Sequence, residues 1–515
     1  MRRIFLCGLS SALCLTLSAI QAQETNDVEA LRQQLIETQK KFNRDLREHQ
    51  QTIDELNQRL NALPQAGTNR PPPSAVDHSE PNSDGVSAKA WNPADPIRLG
   101  KGNAYMDIGM VATFAAGGST ARDIEAELEL GGHDPNQRGF TVQGVEATFS
   151  GAVDPYFRGF STINFQIDAE GESALELEEA YLESLSLPAN LQLRAGEYFT
   201  EFGRHNPTHV HAWGFVDTPL VNGRLLGPDG LHNPGARLAW LAPTPFYSEL
   251  TLGVQNSQGE TATSFRSDGG HHHGGEDHND VPFAFRESEN DRGVSAFDDL
   301  LIAPRYAISF DLTDEQTVLA GASAAFGPNS SGKNAGDTRT QIYGLDFLWK
   351  WKPVRSQGGF PFVSWQTEGM WRRYDAGRFD WDLNGDGLID DGEIADPNTG
   401  APALLAGERL DDYGLYSQVL YGFRKGWVAG FRVDHVASRE GDYEKRGLML
   451  NGEALGRDES RAARWRLSPN LTWYPTEFSK FRLQYNYDDR RGVGEDHSVW
   501  LQFEFILGAH AAHTF

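Results

Sequence analysis

The sequence predicts an all-β protein: a transmembrane antiparallel β-barrel of about 16 strands, with an N-terminal α-helical coiled-coil segment. Three observations support this prediction. From about residue 100 onward, apolar and polar residues alternate with a period of two in segments of about 10–14 residues, longer than the strands of most soluble sheets. The connections between these segments are alternately short and long, as they are at the two rims of a barrel. Tryptophan and tyrosine gather near the segment ends, as they do at membrane interfaces.

Residues 1–22 are predicted to be a secretory signal peptide. They combine a basic start, an apolar run over residues 4–20 and a small residue at Ala22. Cys7 and Cys14, the two cysteines of the chain, both lie in this segment. The mature chain would therefore lack cysteine, which excludes thiol catalysis, cysteine-based zinc sites and covalent haem attachment.

Residues 23–63 form the predicted coiled coil. An apolar seam with spacings of mostly three and four residues runs through Val28, Leu31, Leu35, Phe42, Leu46, Ile53, Leu56, Leu60 and Leu63. A seam this narrow needs partners and favours oligomerisation; the alternative is a helix that lies along its own barrel. Residues 64–96 are rich in proline, glycine, serine and asparagine, which predicts a flexible linker. Residues 97–515 are assigned to the barrel.

The alternation is clearest in Tyr343–Trp351, Phe481–Tyr487 and Leu501–Leu507, where aromatic and aliphatic residues occupy one face and polar residues the other. In a soluble sandwich the apolar face would pack on a second sheet, whereas in a membrane barrel it contacts lipid. The predicted strands span 103–115, 138–151, 155–168, 173–184, 189–199, 235–242, 246–256, 301–312, 316–326, 339–352, 360–374, 412–424, 427–437, 462–474, 479–489 and 498–508. Their number is even, so both ends lie on the short-turn, periplasmic side, and a barrel of this size leaves an aqueous lumen.

Composition excludes two further classes of protein. Acidic residues number 72 and basic residues 46, for a net charge of -26, which argues against a nucleic-acid-binding protein. The sequence contains no G-x-S-x-G, H-E-x-x-H or P-loop motif. We therefore expect no enzymatic activity.

One stretch of the chain resembles a known family. The runs Leu177–Glu183, Leu191–Tyr198 and Glu201–Gly203 resemble the "DAYL…LRxGQFxxPFG" segment of the phosphate-selective porin O/P family. The resemblance implies a trimeric barrel channel in the outer membrane of a Gram-negative bacterium, narrowed by an inward loop. Glu197 and Glu201 stand where the family segment has glutamine and proline, and a lysine ladder like that of the family is not evident.

The third long loop, residues 199–231, is the segment that we expect to fold into the lumen. Its candidate pore residues are Arg204, His205, His209, His211 and Arg224. Inward positions of later strands add Arg424, Arg432, Arg464, Arg466 and Arg482. These arginines would form a stripe that guides anions. In the alternative interpretation they pair with inward acids such as Asp434 and Glu504.

Residues 382–393 match the EF-hand loop pattern D-x-N-x-D-G-x-I-D-x-x-E at every ligand position. The predicted ligands are the side chains of Asp382, Asn384, Asp386, Asp390 and Glu393 and the carbonyl of Leu388. Because all of these donors are oxygen atoms, the loop favours a hard cation such as calcium. We expect calcium to stiffen an external loop; the alternative is a solvated acidic loop.

Two groups of histidines are candidates for binding zinc or another transition metal. His271, His272, His273 and His278 lie in a glycine-flanked tract that also contains acids; the alternative is a solvated polar loop. His209 and His211, together with His205, form a second candidate cluster for a metal or an anion. Hydrogen bonding within the inward loop is the alternative there.

The function expected from these features is that of an outer-membrane porin. It would conduct small solutes or ions passively, among them anions such as phosphate, through a water-filled barrel narrowed by the inward loop. Its expected partners are membrane lipids and two further copies of the chain, joined through barrel and coiled coil. Two alternatives stay open: a barrel for divalent metal or cation passage, with its histidine- and acid-rich external loops gathering the ions, and a non-conducting anchor or sheath for a partner protein.

Overall fold

A computed structural model describes residues 97–101, 104–124, 131–167, 171–266, 281–287, 294–331, 338–492 and 494–508. The predicted signal peptide, coiled coil and linker lie outside the described residues, and so does the histidine tract at 271–278.

Antiparallel strands dominate the described chain. In chain order they are β1 (Ile97–Lys101), β2 (Ala104–Ser119), β3 (Gly139–Ala152), β4 (Phe157–Ile167), β5 (Ser173–Ser184), β6 (Leu191–Phe199), β7 (His232–Leu241), β8 (Tyr247–Asn256), β9 (Leu300–Thr313), β10 (Gln316–Pro328), β11 (Arg339–Trp351), β12 (Phe362–Ala376), β13 (Phe379–Asp380), β14 (Ile394–Asp396), β15 (Ala401–Pro402), β16 (Leu404–Leu405), β17 (Glu408–Arg424), β18 (Trp427–Ser438), β19 (Met449–Leu450), β20 (Glu453–Ala454), β21 (Arg464–Thr476), β22 (Ser479–Arg490) and β23 (Gly494–Leu507).

Sixteen of these strands, β2–β12, β17, β18 and β21–β23, close into a barrel in which each strand pairs with its neighbour along the chain. Closure occurs at β2, which pairs with β3 on one edge and with β23 on the other, from Met110↔Leu507 to Ser119↔Ser498. The short strand β1 pairs with β2 over Ala104–Ile108. Closure satisfies the backbone donors and acceptors that an open sheet would expose at its edges. The predicted all-β barrel of about 16 strands is confirmed.

Most strand bounds agree with the prediction, but several strands extend further toward the long loops. β17 begins at Glu408 and β23 at Gly494, four residues before the predicted starts in each case. Apart from Leu410, the added residues are polar or glycine, so no alternation marks them, yet they continue the hydrogen-bonded ladder. Arg409 of β17, for example, bonds Asp375 of β12 at 2.8 Å.

Alternation along the strands gives the barrel an apolar outer face and a polar inner face. On β11, Leu345 points outward and is 69% exposed, whereas the next residue, Asp346, is buried and accepts a 2.6 Å hydrogen bond from Arg305 of β9. Further apolar side chains exposed on the outer face are Leu193, Leu238, Leu250, Leu252, Tyr306, Phe310, Leu415, Val419, Phe431, Trp465, Leu471, Leu483, Leu501 and Phe505. The apolar side of the sheet thus faces away from the barrel, and the sandwich alternative is wrong for these strands.

The helical segments lie in connections. The α-helix, α1, spans Leu220–Leu226 in the connection between β6 and β7. Single 3₁₀ turns span Pro188–Asn190, Val210–Ala212, Glu260–Ala262, Phe283–Phe285, Phe297–Asp299, Glu444–Arg446 and Glu459–Arg461. In the described part of the chain, no helix has both the length and the hydropathy needed to cross a bilayer.

Among the described residues, three apolar clusters lie apart from the outer face, and the smallest consists of Ala121, Ile124, Val216 and Trp500. The first of the two larger clusters is inside the barrel, where α1 and the chain around Phe202, Leu231 and Phe265 pack against the inward side chains Leu301, Ala325, Ile342, Met370, Tyr416 and Val436. The second joins the long loops: Phe285, Trp381, Ile394, Leu405 and Tyr443 are among its members. Small sheets support this second cluster, one of β13 and β16 and one of β14, β15, β19 and β20.

Candidate functional site

The connection between β6 and β7, residues 200–231, enters the barrel as predicted from the sequence and contacts strands spread around its wall. At its start, the Gly203 amide donates to Ser323 of β10 at 3.1 Å. The next two amides, of Arg204 and His205, both donate to one carboxylate oxygen of Glu368 on β12, at 3.0 and 2.8 Å. Gly203 has a φ of 62°, a conformation that glycine adopts without strain. The entry of the loop is therefore fixed by its backbone.

On the wall formed by β3 and β5, the loop contributes two histidines to a group of glutamates. His209 lies between Glu178 and Glu179, with its Nδ1 atom 2.8 Å from the former and its Nε2 atom 2.9 Å from the latter. His211 Nδ1 lies 2.8 Å from Glu146 Oε2. Burial opposes protonation of His209, but Glu178, Glu179 and Glu146 together raise the pKa of its imidazole well above the usual range.

A β-bulge explains how two consecutive glutamates of one strand face the same lumen. Thr162 of β4 pairs with Glu179, and Ile163 pairs with Leu177, so Glu178 is the extra residue of β5. A bulge of this kind re-aims the side chains next to it. Glu178 and Glu179 are consequently both buried on the inward side, 2% and 7% exposed.

On the part of the wall formed by β18, β21 and β22, which β23 and β2 separate from β3, cationic side chains of β18 and β22 bind backbone carbonyls of the loop. Arg482 donates to the carbonyls of Trp213 and Phe215, both at 2.8 Å. Lys480 donates to the carbonyl of His211 at 3.1 Å, and Arg432 to that of Asp217 at 2.8 Å. The loop is thus held both by an acidic wall and by a basic wall.

Asp217 is the main ionic attachment of the loop to the basic wall. Its carboxylate accepts hydrogen bonds from Arg432 at 2.8 Å and Arg466 at 3.3 Å. The amide groups of Gln484 and Asn486 add two more bonds, each of 2.8 Å. Burial alone would raise the pKa of Asp217, but the two guanidinium groups lower it. Asp217 therefore stays ionised.

Helix α1 completes the crossing. The amide of Leu220, its first residue, donates to Asp434 of β18 at 3.2 Å, and Arg224 donates to the carbonyl of Ala462 at 2.8 Å. Its leucines enter the interior apolar cluster. Inward side chains all round the wall are fully buried as a result: Asn164, Ile342, Tyr416, Asp434 and Gln484 are each 0% exposed. The loop and helix thus occupy the lumen across the middle of the barrel.

The predicted arginine stripe is buried, whereas arginines that filter ions in an open pore must face the solvent of the lumen. Arg432, Arg466 and Arg482 are each 1% exposed and bound to the loop, and the first two are also bound to acids of the wall. Arg432 bonds Asp434 at 2.7 Å and Arg466 bonds Asp488 at 2.7 Å. Arg432 and Arg466 are therefore paired with acids of the barrel wall, as the alternative interpretation of the arginines describes.

The other predicted pore residues are dispersed. Arg464 is buried on β21 and Arg424 is exposed at the short-turn end of β17. Glu504, one of the acids expected to pair with arginine, bonds Lys480 instead, at 2.6 Å. Arg224 is buried in the loop and Arg204 is half-buried. These side chains do not form one ring.

His205 lies apart from the two other loop histidines. Its ring packs against Trp213 and Tyr416, with ring centroids 4.9 and 6.3 Å away. Burial, reinforced by the nearby charge of Arg432, lowers the pKa of His205 to about 3. His205 therefore packs on aromatic rings, whereas His209 and His211 contact the glutamates of the acidic wall. A pocket that is partly open to solvent extends between His205 and His209 toward His133.

Several residues of this site were not predicted from the sequence. Glu146, Glu178 and Glu179 were missed because alternation shows only that they lie on strands. His133, which lies 3.2 Å from Glu178, belongs to a connection with no motif. One signal was available: two consecutive glutamates within Leu177–Glu183 break the period of two, as a bulge does.

The predicted calcium loop forms a compact turn. The Asp382 carboxylate accepts amide hydrogen bonds from Gly385 at 2.9 Å and Gly387 at 3.1 Å. Both oxygens of Glu393 accept amides, from Leu383 at 2.9 Å and Asp390 at 3.1 Å. The side chains of Asn384 and Asp386 also accept amides in this turn, from Asp386 and Leu388, each at 2.8 Å, and β14 follows the loop directly.

In class, then, the described chain is a closed antiparallel barrel of sixteen strands whose lumen holds an inward loop. No protein-family model matches the chain. An uncharacterized protein of Aquifex aeolicus (strain VF5) is 30% identical to it over 436 residues, which cover 79% of this chain and 80% of that protein. The chain belongs to the same family as this Aquifex protein.

The solved structures to which the chain is similar are distant from it. The outer membrane channel DcaP of Acinetobacter baumannii has a TM-score of 0.45 at 11% identity, covering 79% of this chain and 98% of its own. An anion-selective porin from Comamonas acidovorans has a TM-score of 0.45 at 6% identity, covering 78% of this chain and all of its own. These similarities are too low to assign a function.

Proposed function

We propose that the protein is an outer-membrane channel that conducts small solutes or ions passively past the inward loop. The observation that carries this proposal is the closed barrel with its apolar outer face. Exposed leucines and aromatic residues cover the outside of the sheet, while charged and amide side chains face inward. In water this distribution would be costly, whereas in a bilayer it is what a spanning barrel requires. The signal peptide predicted at 1–22 agrees with export.

Aromatic pairs at the short-turn rim support the same orientation in a membrane. Trp427 and Trp473 stack with ring centroids 5.9 Å apart, and Trp473 also stacks on Phe481 at 5.7 Å. Rings of this kind favour the boundary between lipid and water. Short turns lie on the periplasmic side of barrels of this kind, so we infer that the short-turn rim faces the periplasm.

The net charge of -26 favours cations over anions as the permeating ions. The charges on both walls are paired: Arg432 and Arg466 bond Asp217, Glu183 bonds Arg194 at 2.9 Å, and Glu178 lies 2.8 Å from His209. Phosphate conduction, which the family resemblance implies, is the alternative. Reversal potentials in a salt gradient across a planar bilayer distinguish the two: we expect cation preference, and an anion preference would contradict this part of the proposal.

We also propose that residues 382–393 bind calcium. The support is the donor set, five side chains and the Leu388 carbonyl, arranged around one turn. The test is limited proteolysis of the loop with and without calcium, on the wild type and on Glu393→Gln, which removes the predicted bidentate ligand. Asp391→Asn, at a non-ligand position of the same loop, is the matched control. Calcium should protect the wild type and the control; equal cleavage of all three proteins in either condition would contradict the site.

A further inference from the structure

Carboxylates and imidazoles converge where the inward loop meets β3 and β5. One oxygen or nitrogen atom from each of Glu146, Glu178 and His209 lies within 4.8 Å of the other two. His209 Nδ1 is 2.8 Å from Glu178 Oε2 and 3.7 Å from Glu146 Oε2. Both glutamates are almost completely buried, 1% and 2% exposed.

We propose that Glu146, Glu178 and His209 form a binding site for a divalent transition-metal ion such as zinc. Zinc bonds nitrogen at about 2.0–2.1 Å and carboxylate oxygen at about 2.0–2.2 Å, so two ligands of a tetrahedral ion lie about 3.3 Å apart. The two measured separations fall on either side of this value. Small side-chain rotations are enough to bring the three atoms onto one ion, with a fourth position left for water or a passing ligand.

The neighbours of the three ligands support the site independently of the ligand spacing. His209 directs Nδ1 at the two ligand carboxylates, and its other nitrogen, Nε2, lies 2.9 Å from Glu179. Glu178 directs Oε2 at His209, and its other oxygen, Oε1, lies 3.2 Å from His133. His211 lies 2.8 Å from Glu146. Outer partners of this kind fix the orientation of metal ligands in known sites.

The charge of the cluster also suits a divalent ion. Without a metal ion, the histidines His209, His133 and His211 lie beside the two buried carboxylates. A metal ion of charge +2 would replace the proton of His209 and leave its imidazole neutral for coordination. A donor set of one nitrogen and two oxygens favours zinc and its neighbours over calcium, which prefers oxygen alone.

The site would connect the loop to the barrel wall. His209 belongs to the loop, Glu146 to β3 and Glu178 to the bulge of β5. A bound ion would therefore fix the loop on its acidic side, as Asp217 does on the basic side. The proposal does not depend on conduction, because the ligands are brought together by the fold.

The test is zinc titration of the full-length protein, after chelator treatment, by isothermal calorimetry. The background carries His271→Asn, His272→Asn, His273→Asn and His278→Asn, so that the predicted histidine tract does not contribute. We expect one zinc ion per chain. Glu178→Gln and His209→Gln should each weaken binding at least tenfold, and Glu179→Gln, which alters only an outer partner, should weaken it less.

A neighbouring group, His133, Glu176 and Asp229, has a similar spacing and provides the matched control. Glu176→Gln should leave zinc affinity within twofold of the background. Heat-modifiable migration in detergent gels shows that each variant is folded. Absence of stoichiometric zinc, or unchanged affinity in both ligand variants, would overturn the proposal. If Glu176→Gln abolished zinc binding and Glu178→Gln did not, the ion would bind at the neighbouring group, and this result would also overturn the proposal.

Discussion

At the scale of single residues, Asp217 connects the loop to the barrel more extensively than its position in the sequence suggests. Four side chains from β18, β21 and β22 donate to its carboxylate. Removing the charge leaves Arg432 and Arg466 buried with one fewer acid between them. Breaking a buried ion pair in this way is strongly destabilising.

We therefore expect Asp217→Asn to lower the free energy of unfolding by about 3–5 kcal/mol at neutral pH. Because the pKa of Asp217 is lowered from its ordinary value of 3.8, its contribution is present above that value and is lost as the pH falls through the folded pKa. Urea unfolding in detergent micelles at pH 7 and at pH 3 measures the difference. Equal stabilities at pH 7 would contradict the role assigned to Asp217.

Some functional residues could be predicted from the sequence and others could not, depending on whether they are contiguous in the chain. The calcium-loop residues from Asp382 to Glu393 are contiguous, so their pattern is visible in the chain. Glu146, Glu178 and His209 come from three separate segments and meet only when the barrel closes. Their meeting also depends on a one-residue bulge, which alternation registers only as an irregularity.

At the scale of elements, the period of two predicted the barrel strands, because alternate side chains of each strand face the lipid and the lumen. The short strands β13–β16, β19 and β20 were not predicted, since two- or three-residue strands have no readable period. The interior apolar cluster was not predicted either. Its leucines in α1 lie within a loop whose polar residues suggested an aqueous constriction.

The outer face of β11 gives a direct test of the membrane-spanning orientation. Leu345→Lys places a charge on the outward face, halfway along β11, and should make the free energy of folding into vesicles less favourable by about 2–4 kcal/mol. Asp314→Lys, in the short turn between β9 and β10, is the control and should have little effect. Urea-dependent folding into lipid vesicles measures both; equal effects of the two substitutions would contradict a lipid-facing β11.

At the scale of the whole molecule, the charges of the lumen could not be assigned from composition. The net charge of -26 suggests cations, and the inward arginines suggest anions. The ion preference depends on which of these charged side chains are paired. That pairing is set when the barrel closes around the loop. The structure pairs Arg432 and Arg466 with acids, so anion guidance by the arginine stripe stays a prediction for the selectivity measurement.

We propose that the whole molecule is a homotrimer, joined through barrel and coiled coil. Leu35→Asp combined with Leu46→Asp places charges in the predicted seam and should make the trimer dissociate at lower temperature. Gln33→Asp combined with Asn43→Asp adds the same charges outside the seam and serves as the control. Light scattering coupled to size exclusion measures the assembly. A wild type with the mass of a single 57.0 kDa chain would contradict the trimer.

The central claim is that the barrel is a channel whose conductance is limited by the inward loop. Its most direct test is the single-channel conductance, in planar bilayers, of the wild type, of Asp217→Ala and of Arg424→Gln, which alters an exposed arginine away from the loop. We expect a small conductance for the wild type and Arg424→Gln, and a several-fold larger one for Asp217→Ala, because its loop is released from the basic wall. Absence of conductance in all three proteins would identify the barrel as an anchor, and a large, equal conductance in all three would show that the loop does not constrict it.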